Sequence, residues 1–266
     1  MKLFCDQKDL SYALNTVSKA ISPNNTLPVL NNILLKAEGK KLFLFATNLE
    51  LAISLFINAD VRNEGSITIP AKLITNYVSL LKSNQVEIHL TEGLSLNIKT
   101  PESETKIKGI NADEFPLIPQ VKDPKKIKIQ ADVLNQAITR TVFAASQNPA
   151  KPVLSGVLFD VEKDVVKLVA TDSYRLAEQK VQLKERIDFT VQSIVPARTI
   201  QELGKVLAKN KDDIEIEFSA SQILFKIGDI ELTSRLIEGK FPAYEKIFPK
   251  TNKTKINVNI NDLIQT

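Results

Sequence analysis

Residues 28–35 read PVLNNILL, and residues 152–159 read PVLSGVLF, a near copy displaced by 124 residues. Further copies follow in the same order at displacements of 124 to 126 residues. Because order and spacing both survive, the chain contains two tandem domains of one fold, each much longer than a solenoid repeat of roughly 20–50 residues. The other matched segments are 46–48 with 170–172, 69–72 with 195–198, and 114–116 with 240–242.

The sequence after the second unit resembles the opening of both units. Residues 255–258 read KINV and lead to Asp262 and Leu263, as residues 2–5 lead to Asp9 and residues 128–129 lead to Asp132. A strand and one helical turn cannot bury an apolar face, so we expect a three-domain parent that is cut after its second domain. The predicted domains are residues 1–121 and 127–249, followed by a truncated third domain at 254–266.

Composition favours an ordinary globular protein without cofactors. The 266 residues are 43% hydrophobic and 25% charged, with a net charge of +4. One cysteine and one histidine exclude a disulfide framework and the usual zinc sites. No nucleotide-binding motif is present, and we predict no catalytic site. Charges at Lys2, Asp6 and Lys8 rule out a signal peptide, which predicts a cytoplasmic protein.

Each unit has the pattern strand, helix, strands, helix, strands, which predicts an α+β fold. We expect the first helix to follow a cap at Asp9, because apolar residues then recur at helical spacing. The matching helix of the second unit is expected to start near Asp132. A second helix should open directly after Pro70 and after Pro196, where a missing N–H costs nothing. Period-two alternation, as in residues 86–90, predicts antiparallel strands with one covered face.

The predicted helices carry mostly basic charge. Over residues 10–21, 72–82, 134–146 and 198–209 the only acid is Glu202. If these helices share one surface, that surface could follow a phosphate backbone without reading bases. The alternative is that lysines are simply good solvated helix residues. The basic residues are Lys19, Lys72, Lys82, Arg140, Arg198, Lys205 and Lys209.

Two motifs of the second unit make the chain resemble a known family. Residues 170–177 read ATDSYRLA and residues 236–244 read LIEGKFPAY. With the three-copy organisation, they are similar to the bacterial sliding clamp, the beta subunit of DNA polymerase III, over the whole chain. The resemblance implies tandem DNA-clamp domains, each with two helices packed on antiparallel sheets. It also implies a non-enzymatic processivity factor for DNA replication, a head-to-tail homodimer that encircles duplex DNA, with a monomer expected for the truncated form.

The resemblance further implies two sets of functional residues. One is a pocket in the second domain for short peptides of the polymerase catalytic subunit and the clamp loader, with further walls from a third domain. Its residues are Val153, Leu154, Thr171, Tyr174, Arg175, Leu176, Pro242, Lys246 and Ile247. The DNA-binding residues, to which the helix charges add Arg198 and Lys205, are Asn24, Lys72, Asn148, Pro152, Val153, Arg198 and Lys205.

Several positions depart from the family pattern. Arginine is common in the family at the positions of Asn24 and Lys72, and Ser173 and Tyr174 replace glycine and histidine. An alternative function is therefore a peptide-binding module that does not encircle DNA. A nucleic-acid-processing enzyme is a third reading, which lacks a metal or nucleotide motif. Thr171 also has a purely structural interpretation, since the parallel ATN segment of the first unit predicts the same turn.

Overall fold

Two helices and two groups of antiparallel strands form each unit of the computed structural model, which describes residues 1–23, 25, 27–118, 121–148, 150–208, 210–249 and 251–265. Unit one consists of β1 (Lys2–Asp6), α1 (Gln7–Val17), β2 (Asn32–Glu38), β3 (Lys41–Thr47), β4 (Leu51–Asn58), β5 (Asp60–Asn63), β6 (Gly65–Pro70), α2 (Ala71–Leu80), β7 (Gln85–Thr91), β8 (Ser95–Lys99) and β9 (Glu104–Lys108). Unit two consists of β10 (Lys125–Gln130), α3 (Ala131–Thr139), β11 (Gly156–Glu162), β12 (Val165–Thr171), β13 (Leu176–Gln182), β14 (Thr190–Pro196), α4 (Ala197–Leu207), β15 (Asp213–Phe218), β16 (Gln222–Ile227) and β17 (Ile230–Arg235). A last helix, α5, spans Ile260–Gln265.

One sheet of eight strands crosses from unit one into unit two, in the order β10-β15-β16-β17-β4-β3-β2-β6. The crossing is the antiparallel pair β17 and β4, which runs from Ile230 opposite Leu55 to Ser234 opposite Leu51. We call this pair the joint. It binds the units by main-chain hydrogen bonds, whose ladder requires no particular side chains.

The two remaining sheets end in strands that correspond to the strands of the joint. Unit one contributes a sheet in the order β5-β1-β7-β8-β9, and unit two a sheet in the order β13-β12-β11-β14. Strand order makes β9 the counterpart of β17, and β13 the counterpart of β4. The chain therefore carries one complete joint and, at the ends of its other two sheets, one strand of each type found in a joint.

The helices pack in pairs on the sheets. Helix α1 lies against α2 and on β4 and β3, while α3 lies against α4 and on β13 and β10. A single apolar core runs through both units, and Leu10, Leu14, Leu134 and Leu203 carry the helices into it. Apolar residues at this spacing bury one face of each helix and leave the opposite face in solvent.

Helix α1 begins earlier than the sequence predicted. Asp6, at the end of β1, has extended backbone dihedrals, and its Oδ1 accepts the amides of Lys8 at 2.8 Å and Asp9 at 3.2 Å. The predicted cap at Asp9 is wrong, because the carboxylate of Asp6 already accepts the free amides of the first turn. Helix α3 likewise begins at Ala131, before Asp132. The predicted openings after Pro70 and Pro196 are confirmed.

These earlier starts change the charge of the helices. Asp9 and Asp132 now lie inside helices, so α1 to α4 hold three acids with Glu202 against four cations, Lys8, Lys72, Arg198 and Lys205. The predicted strong basic excess is therefore wrong for the helices themselves. Lys19, Lys82 and Arg140 follow the helix ends, where cations are favourable to the helix dipole, and Lys209 lies outside the described residues.

The predicted opening of a third unit is only partly formed. Helix α5 is present, but residues 255–258 form no strand and are exposed. A strand needs a neighbour for its amides and carbonyls, and the described residues place none beside this segment. Within the described part of the chain, no helix is long and apolar enough to cross a membrane.

Candidate peptide pocket and DNA-facing residues

The motif at Thr171 forms a tight turn between β12 and β13. Thr171 Oγ1 donates to the carbonyl of Arg175 at 2.7 Å, and Asp172 Oδ1 accepts the amides of Tyr174 and Arg175, both at 2.9 Å. These backbone hydrogen bonds, that of Arg175 above all, lower the pKa of Asp172. Ser173 is held at a φ of 82°.

Unit one contains the same turn with the same bonds. Thr47 Oγ1 donates to the Leu51 carbonyl at 3.0 Å, and Asn48 Oδ1 accepts the amides of Glu50 and Leu51 at 3.0 and 2.8 Å. Leu49, at the position of Ser173, has a φ of 75°. The structural interpretation of the threonine is thus confirmed, because the turn is a property of the fold in both units.

The side chains that differ between the two turns distinguish unit two. Tyr174 is 96% exposed, and the Arg175 guanidinium lies 5.8 Å from the centre of the Phe143 ring. Arg175 Nε also donates to Asp172 Oδ2 at 3.0 Å. Leu176 pairs across the turn with Thr171. An aromatic ring, a held cation and a leucine therefore lie at one edge of the sheet.

Beside this turn, two aromatic residues fix the segment that follows β17. Phe241 and Tyr244 meet edge to face, with ring centres 6.3 Å apart, and are buried against the outer face of β11, β12 and β14. Val153 and Leu176 pack against the same cluster. Tyr244 Oη donates to Glu178 Oε2 at 2.8 Å, so the segment is also bonded to β13. The sequence did not single out this hydrogen bond.

The remaining predicted pocket residues surround this cluster. Pro242, Lys246 and Ile247 are exposed on the segment that Phe241 and Tyr244 anchor, in and next to a short 3₁₀ turn, Tyr244–Ile247. Leu154 is half-buried, and its carbonyl accepts the Ser146 amide at 2.8 Å. The structure thus brings Val153 and Leu176 into one apolar cluster. Ile247, three residues after Tyr244 of that cluster, is 69% exposed.

A different cavity, of about 970 Å³, lies on the far side of Phe241. None of the predicted pocket residues lines it. Its walls come from β11 and β14, from the turn between β15 and β16 with Gln222 at the start of β16, and from Arg235 at the end of β17 with the residues that follow it. Sequence reasoning noticed one wall, residues 236–241, as part of a motif but missed the cavity, because its other walls are distant along the chain.

The predicted DNA-binding cations differ in their availability. Lys72 is exposed in the first turn of α2. Lys205 is exposed on α4 but pairs with Glu202 at 2.8 Å. Arg198 donates to Ser22 Oγ and to the Ile21 carbonyl, each at 2.9 Å, and so links α4 to the segment after α1. Its guanidinium has a structural role between the units that the sequence did not predict.

The other predicted DNA positions lie in loops. Asn148 is exposed, and its Oδ1 accepts the Ala150 amide at 2.9 Å. Pro152 opens the short turn Pro152–Ser155, and the half-buried Val153 follows it. Asn24 lies outside the described residues. The exposed faces of the four helices also carry neutral polar side chains, among them Asn15, Asn76, Gln136 and Gln201, and the exposed leucines Leu73 and Leu80.

Comparisons with known proteins match the two units separately. Residues 1–119 match the family model for the N-terminal domain of the DNA polymerase III beta subunit, and residues 128–243 match that for its central domain. The beta sliding clamp of Halalkalibacterium halodurans is 32% identical over 263 residues, which are 95% of this chain and 69% of the relative. The chain belongs to the DNA polymerase III beta subunit family, the bacterial sliding clamps.

Solved clamp structures have the same fold. The sliding clamp of Bacillus subtilis superposes with a TM-score of 0.96 at 30% identity, covering all of this chain and 72% of the other. A clamp of Pseudomonas aeruginosa bound to griselimycin gives a TM-score of 0.90 at 29% identity, over 95% of this chain and 69% of the other. The predicted α+β clamp fold and the prediction of a non-catalytic clamp subunit are confirmed by this membership.

Proposed function

We propose that this clamp subunit, when full length, encircles duplex DNA in the cytoplasm without reading its sequence, as part of a head-to-tail homodimeric ring. We also propose that it docks short peptides of the polymerase catalytic subunit and the clamp loader at the unit-two pocket. The proposal of a ring rests on the joint. The second rests on the apolar cluster around Tyr244.

The joint supports a ring because it can be repeated. Strands β17 and β4 unite two units in a continuous sheet, and their counterparts β9 and β13 end the other two sheets. Each end therefore offers one strand of the type that a further joint requires. An arrangement in which every contact is of one head-to-tail type closes into a ring when its rotation allows.

The exposed helix faces support sliding contact. Phosphate contacts by lysine and arginine dominate affinity for DNA, and each one strengthens the grip. Here neutral amides such as Asn76 and Gln136 separate the few cations, and Lys205 is already paired with Glu202. Such a surface tolerates a nearby duplex without binding any position tightly, which movement along DNA requires.

Encirclement is tested by topology. The full-length subunit is loaded onto a nicked circular plasmid in an extract of the source organism, isolated by gel filtration at high salt, and then treated with a restriction enzyme that linearises the plasmid. We expect retention on the circle and release after linearisation. Equal retention on circular and linear DNA, or none on either, would contradict encirclement and favour a peptide-binding module alone.

The unit-two pocket has the chemistry of a peptide site. Apolar anchors of a partner can pack on Val153, Leu176 and Ile247, while Arg175 and Lys246 are available to polar groups at the rim. Few residues dominate such interfaces, and they are mostly large side chains buried in well-packed pockets. Thr171 fixes the turn that presents this wall.

Peptide docking is tested by fluorescence polarisation with overlapping labelled peptides that cover the polymerase catalytic subunit. We expect one peptide to bind, and Leu176→Ala and Pro242→Ala each to weaken it by about tenfold, roughly 1.4 kcal/mol. Pro116→Ala is the matched control, since Pro116 occupies the corresponding position in unit one. Equal losses in Pro116→Ala and Pro242→Ala would contradict the assignment of the pocket.

A further inference from the structure

A small cleft lies where unit one meets unit two, at the joint. It has a volume of about 80 Å³ and is separate from the unit-two pocket proposed above. Unit one supplies the turn around Leu49 and the segment around Leu117, and unit two supplies side chains of β16 and β17. We call it the joint cleft. Its lining includes Thr47, Leu49, Leu117, Gln222, Thr233 and Arg235.

The joint cleft is built from the same parts as the unit-two pocket. Thr47 heads its turn as Thr171 heads the turn of unit two, with matching hydrogen bonds. Phe115 is buried with Val29 and Leu30, as Phe241 is buried near Val153. The residues that follow each phenylalanine form the outer lip. The fold thus places the same structural parts beside the turn in both units.

The joint cleft also has a wall from the neighbouring unit. Because β17 pairs with β4, Thr233 and Arg235 reach the rim beside Leu49. The amide of Arg235 donates to the Glu50 carbonyl at 2.8 Å, which fixes the backbone at this point. The lining of the joint cleft is therefore shared between unit one and unit two.

Two features of the rim suggest an occupant. Leu49 is 48% exposed and Leu117 is 95% exposed, so apolar surface stands open to solvent on the unit-one side. On the unit-two side, Arg235 is exposed and its guanidinium makes no ion pair within the described residues.

The size of the cleft limits what can enter. Sites for whole small molecules usually hold about 300–1,000 Å³, whereas about 80 Å³ admits a single aliphatic side chain. Arg235 and Gln222 also line the larger cavity beside Phe241, so an extended chain can continue from one to the other. A carboxylate next to the anchor would meet the planar donors of Arg235.

We propose that the joint cleft binds an extended peptide segment of a partner protein, with one aliphatic side chain between Leu49 and Leu117 and an adjacent carboxylate on Arg235. The partner is distinguished by this pairing of a small apolar anchor and an acid. Glu50 lies on the same rim and disfavours a second acidic residue on the unit-one side.

The probe is an acetylated and amidated pentapeptide with leucine second, aspartate third and alanine elsewhere, compared with the same peptide carrying asparagine third. Binding to the full chain is followed by methyl NMR, with Leu49 and Leu117 reporting the joint cleft and Ile247 reporting the unit-two pocket. We expect the aspartate peptide to shift Leu49 and Leu117. Arg235→Gln, or the asparagine peptide, should weaken binding about 3- to 5-fold, as for an exposed ion pair.

Leu117→Ser should weaken binding at the joint cleft by about tenfold through loss of apolar contact. Arg186→Gln, a substitution of another exposed arginine, should change nothing. Shifts at Ile247 without shifts at Leu49 would overturn this proposal and leave the unit-two pocket standing. Shifts at Leu49 without shifts at Ile247 would support binding at the joint cleft and not at the unit-two pocket. No shift at either, or equal binding of both peptides, would overturn it.

Discussion

Tyr244 donates its phenolic hydrogen to Glu178 over 2.8 Å and thereby joins the exposed lip of the unit-two pocket to the edge strand β13. The ring of Tyr244 is buried, and this burial, followed by the bond to Glu178, raises the pKa of the phenol well above its ordinary value. The lip that carries Pro242 and Ile247 is therefore held by a group that remains protonated.

Tyr244→Phe should lower the free energy of unfolding by about 1–2 kcal/mol, because Glu178 loses a buried donor. Tyr174→Phe is the control, since Tyr174 is 96% exposed, and should have no effect. Urea denaturation measures both. Because folding raises the Tyr244 pKa, its contribution is complete below about pH 10 and declines as pH rises further. Equal stability of the two variants would mean that the bond contributes nothing.

Glu217 should contribute stability that disappears in acid. Its carboxylate is buried on β15 of the eight-stranded sheet and accepts from Lys226 at 2.6 Å and Lys126 at 2.7 Å. Burial favours a higher pKa for Glu217, but the two lysine hydrogen bonds outweigh it and lower the pKa to about 2. The folded pKa is depressed, so the contribution is complete above about pH 4.5 and is lost as pH falls towards 2.

Glu217→Gln should therefore cost roughly 2 kcal/mol at neutral pH and flatten the acid limb of the stability profile. Glu231→Gln, on the exposed side of β17, provides the comparison and should stay within about 0.5 kcal/mol. Denaturation midpoints measured from pH 2 to pH 7 decide between these outcomes. A parallel acid limb in Glu217→Gln would show that other carboxylates cause it.

Arg198→Ala should loosen the contact between the units. Its two hydrogen bonds to Ser22 and Ile21 would be lost, at a cost of about 1–2 kcal/mol. Lys205→Ala, on the same helix, removes only a surface pair and should cost less than about 0.5 kcal/mol. Hydrogen exchange of the amides near Ser22 measures the local effect. Unchanged exchange there would contradict a structural role for Arg198 between the units.

Lys72→Gln should reduce the salt dependence of DNA binding. If Lys72 contacts one phosphate, the slope of log affinity against log salt falls by about 1. Lys40→Gln, in the exposed turn between β2 and β3 at the other end of β2 from α2, removes the same charge and should leave the slope unchanged. Titration of duplex DNA at several salt concentrations compares them, and equal slopes would exclude Lys72 from the contact surface.

Cys5 should be inert until the protein unfolds. Burial, with Asp6 and Asp9 nearby, raises the pKa of its thiol to about 12, so almost no thiolate forms at neutral pH. A chromogenic disulfide reagent should label the native chain slowly and the chain in urea at once. The labelling rate then measures opening of unit one. Rapid labelling of the native chain would show that β1 opens locally.

Much of this architecture was visible in the sequence because a duplication leaves two independent copies of each signal. Proline directly before a helix appears at both Pro70 and Pro196, and both helices formed as expected. The cap of α1 was misassigned because Asp6 and Asp9 are both good capping residues. Only the end of β1, set by pairing with β7 and β5, decides between them.

The missed features all join residues that are distant along the chain. The contact of Arg198 with Ser22 spans 176 positions, and that of Tyr244 with Glu178 spans 66. Local periodicity contains no information on such contacts. The joint could not be predicted either, since main-chain pairing of β17 with β4 needs no complementary side chains. Sequence reasoning could identify the repeated unit but not which edges of two units meet.

The joint has a mechanical consequence. Five residue pairs, from Ile230 with Leu55 to Ser234 with Leu51, must separate together before one unit can swing away from the other. Small changes of sheet twist remain possible, so the two joined units behave as one stiff elastic body. Any assembly that must open to admit a partner would then open at its weakest interface, and the joined units would store elastic strain.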